Sequence, residues 1–157
     1  MSHNHKIDQI DRKILAILQA NGRITNAKLS EEIGLSPAPT LERVKKLEQI
    51  EIISSYHAKL NTAKLGLGVT TFVIVSLNGH TKAKIEGFID AINKIDEVIE
   101  CHHITGAGDF ILKIISKDIQ SYQKLMLEKV SEIKEVDNMQ SMVVLSTYKD
   151  SKILPLL

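Results

Sequence analysis

The sequence predicts an α+β fold in which a three-helix unit precedes a four-stranded sheet with two helices. Up to Gln49, apolar residues recur at spacings of three and four, which is typical of short amphipathic helices. From Thr70 onward, β-branched runs and helical spacing alternate in the order strand, helix, strand, strand, helix, strand. The intervening stretch contains two glycines and breaks both patterns. We therefore expect a helical unit over residues 1–60 and a ferredoxin-like βαββαβ unit over residues 61–157.

The helical unit is predicted to contain three helices with well-defined ends. The first spans roughly Gln9–Ala20. Thr25 is a suitable N-cap for the second helix. Gly34 follows its last turn, where helices often end in a left-handed conformation that glycine adopts at the lowest energetic cost. Ser36 is predicted to cap the third helix, with Pro37 at its first position.

The third helix is predicted to bury the stripe formed by Leu41, Val44 and Leu47. The opposite face would then present Thr40, Arg43, Lys45 and Lys46. A helix, a short turn with a glycine and a second helix form the layout of the DNA-reading helix-turn-helix. Small helical bundles show the same layout, so spacing alone leaves both interpretations open.

The second half is predicted to form one sheet after a short strand over Glu51–Leu60. Strands are predicted at Thr70–Leu77, Val98–Thr105, Phe110–Ile115 and Val136–Tyr148, and helices over Thr81–Ile95 and from Asp118. Right-handed crossovers place both helices on one face of the sheet. Apolar residues occur at both odd and even positions along the strands, so both faces of the sheet are apolar. The face without helices must therefore also be covered. We expect another subunit to provide it.

Charge limits how the helical unit could bind nucleic acid. The whole chain has a formal net charge of +1, and residues 1–60 hold nine basic against seven acidic residues, a net of +2. Counterion release scales with the phosphates neutralised, so duplex binding requires several weakly binding units joined together. All six aromatic residues lie beyond residue 55. The three predicted helices thus lack rings for stacking bases, which favours double-stranded DNA over single strands.

Other features argue against an enzyme, a secreted protein or a membrane protein. The lone Cys101 fits a reducing cytoplasm, the start of the chain is polar, and no apolar run approaches twenty residues. His102 and His103 are neighbours in a predicted strand, so their side chains point to opposite faces and cannot share a metal. We expect no catalytic residues, no metal and no cofactor.

Three stretches, in this order, resemble the Lrp/AsnC family of feast/famine transcription regulators along nearly the whole chain. They are IDQIDRKILAILQANGRITNAKLSEEIGLSPAPTLERVKKLE, IISSYHAKLN and ECHHITGAGDF. The resemblance implies a regulator that binds double-stranded operator DNA through its third helix. It also implies homodimers that often assemble into octamers, and an amino acid or similar small effector bound between subunits.

The resemblance implies DNA contacts from Ser36, Pro37, Ala38, Pro39, Thr40, Arg43 and Lys46, with phosphate contacts from Arg23 and Lys45. A helix N-terminus with hydroxyls suits phosphate, and an arginine can read a guanine edge. The alternative for the charged side chains is a solvated helix face.

The resemblance also implies an effector site at Gly106, Ala107, Gly108, Asp109 and Ser141. Exposed backbone N–H groups could hold a carboxylate, and Asp109 could pair with an α-ammonium group. The alternative is that Asp109 and the glycines only form a tight hairpin turn.

Two residues depart from the family pattern. Glu51 stands just after the third helix, where glycine is typical of the family. We therefore expect the wing, the segment that follows this helix, to leave it at a different angle. Glu42 stands where many members are basic and would repel a phosphate. A rival function remains: a metabolite-binding oligomer whose helical unit contacts protein and not DNA.

Overall fold

The computed structural model describes residues 7–156 and divides them into two compact units. The first contains the described residues up to Lys59 together with those from Lys149 onward, and the second runs from Leu60 to Tyr148. The end of the chain, expected in the sheet unit, thus lies with the helices. The polar start, residues 1–6, lies outside the described residues.

All three predicted helices of the first unit are present: α1 Gln9–Ala20, α2 Asn26–Ile33 and α3 Pro37–Gln49. Helix α1 begins with a reciprocal capping box between Asp8 and Asp11. The Thr25 side chain accepts the Lys28 N–H, and Gly34 ends α2 with φ 77°. Sequence-local capping therefore determines where α1 starts and where α2 starts and stops.

The buried side of α3 differs from the prediction by one residue. Leu41 is 40% exposed, whereas Thr40 is fully buried beside the core residue Leu47. Thr40 tolerates burial because its hydroxyl donates to the Ser36 carbonyl at 2.9 Å, so no polar atom is left without a partner. The inward stripe is therefore Thr40, Val44 and Leu47.

The strand predicted at Glu51–Leu60 is wrong, since this linker has no strand structure. Glu51 itself takes the left-handed conformation, with φ 58°. Its N–H donates to the Glu48 carbonyl at 3.0 Å, and the Ile53 N–H donates to Leu47 at 3.1 Å. The expected change in the angle of the wing rested on Glu51 avoiding this conformation. These two hydrogen bonds close the end of α3 and keep Glu51 in the left-handed conformation. A glycine would adopt that conformation at a lower energetic cost.

The second unit has the predicted βαββαβ order. Its elements are β1 Val69–Leu77, α4 Lys82–Ile92, β2 Val98–His103, β3 Phe110–Ser116, α5 Ile119–Leu125 and β4 Val136–Val143. A 3-10 turn at Ala63–Leu65 precedes β1, and α5 continues as a π-helical turn at Met126–Val130. The antiparallel sheet has the order β2-β3-β1-β4. Strand β4 ends at Val143, five residues before the predicted end, and β2 ends at His103.

The two faces of the sheet differ in how well they are covered. On one face, both helices pack on a single buried cluster that includes Val73, Leu112, Phe88 and Tyr122. On the other face, the strand register places Phe72 beside Met142 and Ile74 beside Ile111. These four side chains are half-buried or exposed. The open face is therefore an apolar surface of the kind that another protein surface covers.

Within residues 7–156, no helix combines the length and the apolar character needed to cross a membrane.

Candidate nucleic-acid interface and ligand site

The first turn of α3 is exposed to solvent. Ser36 occupies the N-cap position, but its side chain makes no capping bond, contrary to the prediction. Pro37, Ala38 and Pro39 are all exposed. Because the two prolines lack N–H groups, the turn offers an anion chiefly the Ser36 hydroxyl and the Ala38 N–H. This end of α3 can contact a phosphate but supplies a weak anion site alone.

The outward face of α3 follows from the exposed positions. Ala38, Glu42, Lys45 and Gln49 are exposed at spacings of four, three and four, so they lie on one side of the helix. Lys45 Nζ lies 3.6 Å from Glu42 Oε1 in an exposed pair. Sequence reasoning did not single out Gln49. The spacing of Thr40, Val44 and Leu47 would have placed it opposite the core.

Thr40 does not belong to this surface. Its side chain is fully buried, and its hydroxyl donates to the Ser36 carbonyl. In this structure Thr40 closes the first turn of α3, and its DNA contact stays a prediction.

Arg43 is already engaged with helix α1. Its Nη1 lies 2.7 Å from Asp8 Oδ2 and 2.8 Å from Asp11 Oδ1, the two carboxylates of the capping box. Hydrogen bonds to Asp8 and then Asp11 raise the pKa of the Arg43 guanidinium. The Asp11 backbone N–H, followed by Arg43, lowers the pKa of Asp8. In this arrangement Arg43 holds α3 against the start of α1 and is not extended toward a base.

A second polar contact fixes α2 relative to α3. The Asn26 side-chain amide donates to the Pro37 carbonyl at 2.8 Å.

The remaining predicted phosphate contact, Arg23, has an exposed side chain, and its backbone N–H donates to Asn21 Oδ1 at 3.1 Å. Lys46 is also exposed. The structure thus leaves Arg23, Lys45 and Lys46 accessible as cations on this unit.

The loop between β2 and β3 has an open tip and a crowded base. Gly106 has φ 115°, and a Cβ there would meet no other atom. A Cβ on Gly108 would lie 2.5 Å from Ile74 Cγ2, so only glycine fits. Within the described residues, the N–H groups of Gly106 and Ala107 donate to no backbone carbonyl. The tip therefore has donors available for a ligand, whereas Gly108 has a steric role.

Asp109 anchors the base of this loop. Its Oδ2 accepts the Leu77 N–H at 2.7 Å, and its Oδ1 lies 2.7 Å from His80 Nε2. The Leu77 N–H, followed by His80, lowers the pKa of the Asp109 carboxyl. Both oxygens thus have partners within the subunit, which supports the hairpin role more than an unassisted ammonium site. Sequence reasoning missed His80, which lies three residues after β1 at this edge of the sheet.

Ser141 lies apart from the loop. Ser141 is on β4, where it pairs with Val73 of β1, and its hydroxyl shares a hydrogen bond with the Tyr122 hydroxyl on the helix-covered face. The loop precedes Phe110, whose partner on β1 is Val75. Strand β1 lies between Ser141 on β4 and the start of β3, where Asp109 precedes Phe110, so within one subunit the two residues belong to segments that are not adjacent.

The two neighbouring histidines point to opposite faces, as predicted. His103 pairs with the buried Phe110 and stacks on its ring at 4.8 Å, while His102 pairs with Ile111 on the open face. Burial raises the pKa of the adjacent Cys101 thiol. Residues 7–156 contain no group of three or more His, Cys, Asp or Glu side chains suited to a metal ion.

Comparisons with known proteins agree with both units. The family model for the Lrp/AsnC ligand binding domain matches residues 70–154. A model for winged helix-turn-helix DNA-binding domains matches residues 7–54. The leucine-responsive regulatory proteins of Escherichia coli K12 and Klebsiella pneumoniae are each 39% identical over 145 residues, covering 92% of this chain and 88% of the relative.

Solved structures show the same architecture. A transcriptional regulator from Neisseria meningitidis in complex with L-Met has a TM-score of 0.91 at 36% identity, covering 96% of this chain and 97% of that one. Escherichia coli AsnC has a TM-score of 0.89 at 27% identity, covering 96% and 100%. The fold defines a DNA-binding transcription regulator with a separate ligand-binding unit. The chain belongs to the Lrp/AsnC family.

Proposed function

We propose that this regulator binds double-stranded operator DNA through the first turn and outward face of α3, as an oligomer. The exposed surface from Ser36 to Gln49, with its hydroxyl and its Lys45 and Lys46 ammonium groups, is the observation that supports this most directly. Arg23 adds a cation from the turn before α2. Arg43 contributes by positioning α3, and Thr40 by closing its first turn.

The weak charge of the helical unit makes oligomerisation part of the proposal. With a net charge of +2 in residues 1–60, one copy neutralises few phosphates and should bind duplex DNA poorly at cellular salt. We infer that the open sheet face, with Phe72, Ile74, Ile111 and Met142, packs on a second copy. Linked copies bind jointly at a high effective concentration. Homodimers, and octamers built from them, would supply this multivalency.

We propose that the ligand is an amino acid held at the loop tip between β2 and β3. The free N–H groups of Gly106 and Ala107 suit its carboxylate. Asp109 keeps the loop tip in place. Because both of its carboxylate oxygens already have partners, it would attract the ligand's ammonium group by its charge more than by a direct hydrogen bond. Ser141 would come from another subunit. The L-Met bound by the Neisseria relative and the leucine response named in the bacterial relatives make these two amino acids the first to test.

The duplex interface can be tested by charge removal. Lys45→Ala combined with Lys46→Ala should weaken binding to upstream duplex DNA. It should also reduce the slope of log affinity against log salt by about 0.9 for each phosphate that these lysines neutralise in the original chain. Lys117→Ala, an exposed lysine of the second unit, is the matched control. If the double variant binds the duplex as tightly as the original chain, the helical unit contacts another partner, such as a protein.

The ligand site can be tested by adding charge at the loop tip. Ala107→Asp places a carboxylate beside the donors proposed for the ligand carboxylate. It should abolish the thermal stabilisation produced by millimolar L-leucine or L-methionine. Ala63→Asp, at an exposed alanine of the same unit, is the control. Equal stabilisation of Ala107→Asp and the original chain would place the ligand elsewhere.

A further inference from the structure

The last described residues of the chain lie against the helical unit. We call residues 149–156 the C-terminal strap. Gln19 of α1 holds it at one residue: its Oε1 accepts the Leu154 N–H at 2.6 Å, and its Nε2 donates to the Leu154 carbonyl at 3.3 Å. A neighbouring strand exchanges the same two bonds with the residue opposite. Gln19 therefore recognises the backbone of the strap, whatever side chain stands there.

A second contact joins the strap to the linker. Lys59 Nζ donates to the Asp150 carbonyl at 2.9 Å and lies 2.9 Å from its carboxylate. Lys59 is the last residue of the first unit before the chain enters the second, and Lys149 is the first after it returns. An exposed ion pair alone contributes little. Its importance here is that it ties together the two segments that connect the units.

A groove of about 390 Å³ lies between the strap and the helical unit. Its walls come from α1, the linker and the strap, with apolar side chains that include Leu15, Leu18, Ile53, Tyr56 and Leu156. The strap covers this apolar surface incompletely, since Ile153 and Leu154 remain 58% and 68% exposed. A segment with so few buried contacts opens at low free energy.

The linker wall of the groove is itself bonded to α3. The Tyr56 hydroxyl donates to Glu48 Oε1 at 2.9 Å. Burial, followed by Glu48, raises the pKa of Tyr56 to about 12, so the phenol stays protonated and can donate. Contacts thus run from the strap to the linker, and from the linker to the last turns of α3.

We propose that the C-terminal strap is a detachable intramolecular clamp, recognised by Gln19, that holds the linker through Lys59 and thereby steadies α3. The backbone pairing at Leu154 and the charge complementarity of Lys59 and Asp150 identify the chain's own strap as the segment that docks on this side of the helical unit. Its consequence for duplex binding rests on the proposed duplex interface. Detachment of the strap would weaken duplex binding without changing the surface that contacts DNA.

Hydrogen exchange of the full-length protein tests the docking. Gln19→Ala should speed amide exchange in peptides covering residues 149–156 and 52–59 by roughly thirtyfold, the population change that loss of two ordinary hydrogen bonds produces. Gln9→Ala, an exposed glutamine on the same helix, should change neither peptide. Unchanged exchange in Gln19→Ala would overturn the clamp. Exchange that varies with protein concentration would overturn its intramolecular nature and point to a strap shared between copies.

Duplex affinity, measured on the same variants at fixed salt, tests the functional consequence. Gln19→Ala should bind several-fold more weakly, with the oligomer size unchanged by light scattering. Faster exchange with undiminished affinity would overturn the link from the strap to α3. Failure of the original chain to bind any duplex would instead overturn the proposed interface, and the exchange result would still decide the docking.

Discussion

The helical unit and the sheet unit have cores of different size. Five buried hydrophobic side chains cluster in the first and thirteen in the second, within the part of the chain that the structure describes. Because buried apolar area is the main source of stability, the sheet unit needs little help from polar contacts. The helical unit adds to its smaller core the capping box of α1, the Arg43 ion pairs and the proposed clamp of the strap. Residues there that look suited to DNA, such as Arg43 and Thr40, instead hold the unit together.

The largest expected effect tests the core of the sheet unit. Phe88 is fully buried and lies 4.7 Å from the Phe110 ring, so Phe88→Ala should lower the free energy of unfolding by about 3–5 kcal/mol. Denaturant unfolding measures the loss. Ile89→Ala, on the exposed side of the same helix, should cost about 1 kcal/mol or less. Equal losses would mean that this core does not carry the unit's stability.

The second prediction separates positioning from base reading by Arg43. If Arg43 positions α3, Arg43→Ala should weaken duplex affinity about tenfold, and Asp11→Asn should weaken it by a smaller factor, because Asp11→Asn removes one of the two ion pairs that hold the helix. If electrostatic repulsion alone set duplex affinity, Asp11→Asn would bind more tightly, because it removes a negative charge from the DNA-binding unit. Glu31→Gln, which removes an exposed acid of the same unit, controls for net charge. Tighter binding by Asp11→Asn would show that Arg43 reads DNA once released.

The third prediction concerns pH and the loop of the sheet unit. Hydrogen bonds lower the folded-state pKa of Asp109, so its contribution to stability is present above the unfolded pKa of about 3.9 and is lost as pH falls through the lower folded value. The difference in melting temperature between the original chain and Asp109→Asn should shrink between about pH 5 and pH 2. A difference that stays constant over this range would mean that the carboxylate charge does not stabilise the loop.

The smallest expected effect relieves strain at the end of α3. Glu51 is the one non-glycine residue with positive φ within residues 7–156. Glu51→Gly should stabilise the helical unit by about 0.5–1 kcal/mol, because relief of the left-handed strain exceeds the added backbone entropy. Thermal unfolding measures the gain, and Glu51→Ala should show none. Destabilisation by glycine would mean that the Glu51 side chain makes a compensating contact.

Much of the fold could be predicted because its signals are local. Thr25, Gly34 and Asp118 end or begin helices through bonds to residues three or four positions away, and the sequence shows those pairs directly. The change of period near residue 70 marked the sheet. The failures came from contacts between distant residues. The end of β4 and the lack of a strand in the linker depend on which segments pair, and no single segment shows this.

The candidate site was harder to predict because most of its contacts join distant residues, with Thr40 as the local exception. The choice between Thr40 and Leu41 as the buried residue turned on a hydroxyl that could satisfy itself within the helix. Arg43 looked like a base reader because its partner Asp8 lies 35 residues away. The pairing of Asp109 with His80 and the fit of Gly108 against Ile74 likewise arise only when strands align.

Disruption of the open sheet face, with assembly and duplex affinity measured on the same sample, tests the central claim most directly. Phe72→Glu places a charge on this face, whereas Leu127→Glu, at an exposed position outside the sheet, is the control. We predict that the original chain and the control sediment as dimers or larger. The folded Phe72→Glu chain should become monomeric, with duplex affinity reduced about a hundredfold. A folded monomer that still binds the duplex as tightly as the original chain would contradict the account.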